Sequence, residues 1–120
     1  MLVLPYISIV MEKTEHMATV WLQILEPMGV GVKGYFGNAE NGSPFNDMAL
    51  AVLTMEKANV TINRLVAEER LHELVCLVVD EAHMVADPHR GLVLELLLTK
   101  LRHACRLSQE AAAAAAAAAL

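Results

Sequence analysis

The sequence predicts an α/β fold, a doubly wound parallel sheet. Two observations carry that expectation. Short apolar runs alternate along the chain with segments of helical periodicity, and one run, Val75 to Val79, is unbroken. An unbroken run reads as a parallel strand buried on both faces, and strands alternating with helices imply βαβ units with right-handed crossovers. With 120 residues, 56% of them hydrophobic, the chain suits one compact domain with a core.

The elements follow in order. Leu2 to Val10 reads as a buried strand. From Met11 onward, Met17, Ala18, Trp21, Leu25 and Met28 recur at helical spacing, and Pro27 and Gly29 close that helix. Gly31 to Phe36 is a short strand. Gly37 to Asp47, rich in Asn, Gly, Ser and Pro, is a loop, and Met48 to Leu53 is a third strand. Glu56 to Arg70 places Ala58, Ile62, Leu65 and Val66 on one helical face. After the Val75 run, Leu94, Leu97, Leu98, Leu101 and Cys105 mark a final helix. Residues 108–120 form a tail dominated by alanine from Ala111 to Ala119. It has high helix propensity and no polar face to specify packing, and could extend the preceding helix.

Composition excludes several functions. The formal net charge of −5 argues against a protein that grips phosphates by bulk charge. It leaves room for one that uses backbone N–H groups and a few placed side chains. Cys76 and Cys105 form no CxxC pair. The opening MLVLPYISIVMEK has no basic n-region and carries a proline in its apolar stretch, unlike a secretory signal. Leu92 to Leu98 is too short to cross a bilayer. The expectation is a soluble intracellular chain without membrane association.

The residues that carry chemistry lie at the end of the Val75 run, in Val78-Val79-Asp80-Glu81-Ala82-His83. Ligands of such sheets bind at the carboxyl ends of the strands. An aspartate there can hold Mg²⁺ through water against the β- and γ-phosphates, and the adjacent glutamate can orient and deprotonate the attacking water. His83, one turn on, is placed to sense the γ-phosphate. Two other patterns are rejected. Gly29 to Gly34 is glycine-rich but runs from helix into strand, the reverse of a phosphate loop, and lacks GxxxxGK[ST]. His72, His83, His89 and His103, with Asp80 and Asp87, match no zinc spacing.

Asp80-Glu81-Ala82-His83 resembles motif II, the Walker B box, of superfamily 2 helicases. Leu4-Pro5 through Lys13 resembles motif Ia of the Ski2-like branch, Thr54-Met55-Glu56-Lys57-Ala58-Asn59 resembles motif Ib, and Asp87-Pro88-His89-Arg90-Gly91 with Leu94-Glu95 resembles the segment after motif II. Together with Ile62-Asn63-Arg64-Leu65 and His83-Met84, these blocks look like the helicase domain of theta-type DNA polymerases. Leu25-Glu26-Pro27 and Tyr35-Phe36-Gly37-Asn38 fit the plant TEBICHI-type helicase-and-polymerase proteins. The resemblance covers residues 2 to 107 and implies part of a first RecA-like helicase domain.

What the resemblance implies is a division of labour. Asp80 and Glu81 would serve ATP and Mg²⁺, with Asp80 on the metal, and His83 would couple hydrolysis to movement. Pro5, Gly37, Thr54, Glu56 and Lys57 would line the track of a DNA single strand, in a nuclear DNA-repair protein. A Walker A loop, which relatives carry upstream, is absent from these 120 residues, as is the second RecA-like domain. The isolated chain is therefore expected to lack ATPase activity and to expose apolar surface where the Walker A strand and helix belong. The alternative reading is a catalytically inactive helicase lobe that binds DNA or protein. Glu95 stands in an apolar helix start and needs a partner if buried. The expected partner is Arg90 or a nearby backbone donor, as a clasp below the ATP site.

Overall fold

The computed structural model describes residues 1–37 and 48–118. The strands are β1 (Leu2–Leu4), β2 (Gly31–Tyr35), β3 (Met48–Thr54) and β4 (Val78–Val79), and the helices are α1 (Ile7–Leu25), α2 (Met55–Ala67) and α3 (Gly91–Ala118). The four strands form one all-parallel sheet in the order β2-β3-β1-β4. This is the expected α/β fold, consistent with part of a RecA-like domain. The loop expected over Gly37 to Asp47 lies outside the described residues beyond Gly37.

Side-chain alternation along the strands divides the core into two layers. Val3, Ala51 and Leu53 point to one face and pack with Met55, Ala58, Ile62 and Leu65 of α2 and Leu94 and Leu97 of α3. Leu4 and Val52 point to the other face and pack with Val10 of α1. Helices therefore cover both faces: α1 on one, α2 and α3 on the other. Gly34 allows α1 to sit close to β2, since a Cβ there would stand 2.6 Å from the Thr14 hydroxyl.

Besides α2, which ends at Ala67 rather than at Arg70, three elements depart by more than a residue from expectation. The strand expected to run to Val10 ends at Leu4, and the chain turns helical at Ile7. Pro5, which lacks an N–H for a sheet ladder, sits at the change, and Tyr6 is the extended N-cap of α1. The helix expected to reach Met28 stops at Leu25 in a short 3₁₀ turn, Glu26–Met28, which leaves Met28 exposed. Gly29 then takes the left-handed conformation at φ 67° and donates to Glu26 O.

The third difference concerns β4. Its regular pairing covers only Val78–Val79, hydrogen-bonded to β1, and it lies at the end of the strand order rather than in the middle. Val75 is 95% exposed and Val78 52% exposed, so this run is not buried on both faces. An open apolar cleft of about 650 Å³ lies beside it, lined by Met17, Trp21, Leu25, Leu50, Val75 and Val78 among others. Among the described residues, no helix is long and apolar enough to cross a membrane.

Candidate functional site

Because all four strands are parallel, the chain leaves them on the same edge of the sheet. Leu4 stands opposite Thr54, Val3 opposite Val79 and Tyr35 opposite Leu53. Pro5, Thr54, Asp80 and Gly37 thus come from four separate segments to one carboxyl edge. Sequence spacing alone could not bring them together; the shared strand direction does.

At the end of β4, the Asp80 N–H donates to Val3 O at 3.0 Å, continuing the ladder one residue past the strand. Asp80 is exposed, and its Oδ1 accepts from the Glu81 N–H at 2.9 Å. Glu81 has φ 54°, in the left-handed region that non-glycine residues rarely occupy. This turn directs the chain into a 3₁₀ segment, Ala82–Ala86, and brings the Glu81 carboxylate 3.1 Å from His83 Nδ1. Both side chains are open to solvent. A non-glycine backbone held in that region is the kind of strain that clusters at functional sites.

Thr54 is the N-cap of α2. Its Oγ1 accepts from the Lys57 N–H at 3.4 Å, and the residue is only 4% exposed. Glu56 is exposed in the first turn of α2, Lys57 half-buried beside it. Pro5 is buried, and Gly37 is exposed at φ 60°.

Arg90 ties these segments together. Asp87 Oδ1 accepts from the backbone N–H groups of His89 and Arg90, both at 2.8 Å, and fixes the turn that starts α3. The Arg90 N–H, then that of His89, holds the Asp87 carboxyl below its usual range. The Arg90 guanidinium donates to Pro5 O, lies 3.8 Å from the Glu56 carboxylate and stacks 5.0 Å from the centre of the Tyr6 ring. Gly91 is buried where α3 meets the 3₁₀ segment.

The expected clasp between Arg90 and Glu95 is not formed. Glu95 is exposed, one turn along α3, where a carboxylate keeps its hydration and needs no buried partner. The arginine turns toward the sheet edge instead. Among the described residues, no group of three or more His, Cys, Asp or Glu side chains is gathered to hold a metal ion.

Sequence comparison finds relatives over most of the chain. Over 106 residues, 88% of this chain, it is 39% identical to DNA polymerase theta of Mus musculus, a match spanning 4% of that protein. Over 102 residues, 82% of the chain, it is 37% identical to the Helicase POLQ-like protein of Caenorhabditis elegans, across 11% of it. It is 30% identical over 102 residues, 84% of the chain, to the ATP-dependent DNA helicase Hel308 of Thermoplasma volcanium, across 14% of it. Its homologues are the theta-type and Ski2-like helicases. The chain spans a small fraction of the length of these relatives. No family profile matches it.

The parallel strand direction explains why the motif-like blocks share one edge. Two participants escaped sequence reasoning: Tyr6, and Arg90 in its contact with Pro5 and Glu56. The Asp87-Pro88-His89-Arg90-Gly91 block was legible as a resemblance to the segment after motif II. It gave no signal for the direction in which the arginine points.

Proposed function

We propose that this chain is part of the first motor lobe of an ATP-dependent DNA helicase of a nuclear DNA-repair helicase/polymerase, and that alone it does not hydrolyse ATP. The observation that carries this reading is the delivery of Asp80, Pro5, Thr54 and Gly37 to one carboxyl edge by parallel strands. The similarity over more than four fifths of the chain to relatives named as helicases or as DNA polymerase theta supports it.

Within the lobe, residues 1–107 are the working part and the alanine-rich stretch is a tail. Asp80 is the candidate magnesium residue: an exposed carboxylate at a strand tip is a hard oxygen donor, suited to a cation that keeps its own waters. Magnesium and ATP, when bound, supply the phosphoryl centre and the charge neutralisation it requires. Glu81 orients water. His83, in contact with the Glu81 carboxylate, couples that group to neighbouring elements. Thr54 and the start of α2 receive backbone phosphates of a DNA single strand, because free N–H groups and the helix dipole favour anions there. Pro5, Gly37, Glu56 and Lys57 border the same track, and a second RecA-like domain completes the ATP cleft.

The second reading is a lobe that binds DNA or protein without turnover. Both readings predict no ATP turnover above buffer by the isolated chain in a coupled assay with magnesium. Magnesium-dependent turnover abolished by Glu81→Gln would contradict both.

A further inference from the structure

Arg90 reaches from the start of α3 to the segments following both β1 and β3. It donates to the carbonyl of Pro5, lies over the ring of Tyr6 and pairs with Glu56 at 3.8 Å. Its own position is set by Asp87, which takes the backbone N–H groups of His89 and Arg90. The Arg90–Glu56 pair is partly exposed, with side-chain exposures of 33% and 50%. Such a pair contributes little to folding. Its consequence is electrostatic: the acidic Glu56 stands in the first turn of α2, where its charge opposes any approaching phosphate.

We infer that Arg90 is a positioning residue for nucleic acid: it masks the Glu56 carboxylate at the start of α2, so that the edge accepts a phosphate backbone. The inference rests on the DNA-track reading proposed above. It assigns Arg90 no direct contact with DNA. Its effect passes through Glu56, and that gives it a signature that a purely structural arginine lacks.

The test uses the full 120-residue chain and a fluorescent single-stranded oligodeoxythymidine, titrated by anisotropy at low salt, with circular dichroism to confirm folding. Arg90→Ala weakens binding about fivefold, the effect of one uncompensated charge near a phosphate at surface dielectric. Glu56→Gln strengthens binding, because the arginine's charge is then unopposed. The double variant Arg90→Ala/Glu56→Gln returns close to the parent affinity. The differences shrink as salt is raised. Equal weakness of the single and double variants, or no change in Arg90→Ala, overturns the inference while leaving the track reading intact. Absence of binding by the parent chain overturns the track reading and the inference with it. If Arg90→Ala does not fold, Glu56→Gln decides alone: stronger binding supports the inference, and unchanged or weaker binding overturns it.

Discussion

A Cβ placed on Gly91 would stand 2.2 Å from the carbonyl oxygen of Val85. The obstacle is backbone, which cannot rotate away as a side chain can. Gly91 opens α3, and its N–H donates to Asp87 O at 2.9 Å, so the contact fixes how α3 enters against the turn that follows Asp80 to His83. Gly91→Ala is expected to destabilise the fold by roughly 1–3 kcal/mol, the usual cost of overpacking. A urea titration followed by circular dichroism measures it, and an unchanged midpoint would refute the packing argument.

Glu69 presents the opposite case. It lies just past α2 at φ 57°, where Glu69 N–H donates to Val66 O and Arg70 N–H to Leu65 O. That is the glycine-favouring Schellman end of a helix, occupied here by a residue with a Cβ. Glu69→Gly should raise stability by about 0.5–1 kcal/mol, the left-handed strain relieved less the extra entropy of an unfolded glycine. A lowered thermal midpoint would count against it.

Thr54 caps α2 while its methyl is buried, so the two contributions separate by substitution. Thr54→Val keeps the shape and removes the acceptor, at an expected cost of about 1 kcal/mol. Thr54→Ser should retain the cap and lose only the packing of one methyl. Ranking the two by chemical denaturation, with valine no worse than serine, would deny the cap its role.

Acid should weaken the fold through three carboxylates. Hydrogen bonds from the Arg64 and Arg70 side chains lower Glu68, those of Arg70 lower Glu73, and the backbone N–H groups of Arg90 and His89 lower Asp87. Each is depressed in the folded state. Its stabilisation is therefore present above the unfolded value, about pH 4, and is lost as pH falls through the folded value. Denaturation midpoints measured from pH 7 to pH 3 should decline over the acid end of that range. The decline should be shallower in Asp87→Asn; identical slopes would remove Asp87 from the account.

The sequence was most legible where periodicity and burial agree. Ala58, Ile62 and Leu65 on α2, and Leu94 and Leu97 on α3, are buried as their spacing predicts, whereas Val66, Leu98 and Cys105, read onto the same helical patterns, are exposed. It was least legible in continuous apolar stretches, where a period of two and a period of 3.6 leave the same trace. Leu2 to Val10 holds a strand, a proline and the first turn of a helix, and nothing in its hydropathy separates them. Val75 to Val79 reads as buried because it is apolar, yet burial depends on neighbours, and β4 pairs on one side with β1. At the candidate site, Asp80, Glu81 and His83 were identified by their spacing and strand context. Arg90 could not be, since its partners lie 85 residues away at Pro5 and on another helix at Glu56.

The central claim is that this edge serves as the motif II side of a helicase ATP site. Its most direct test is a chimera in which residues 1–107 replace the matching stretch of the Thermoplasma volcanium ATP-dependent DNA helicase, which restores whatever the chain alone does not supply. Steady-state ATP turnover is then measured with magnesium and single-stranded DNA. The account predicts turnover by the chimera and a loss of about a hundredfold or more in its Glu81→Gln form, the scale of removing a positioned general base. A folded chimera without turnover, or turnover that survives Glu81→Gln unchanged, would contradict it.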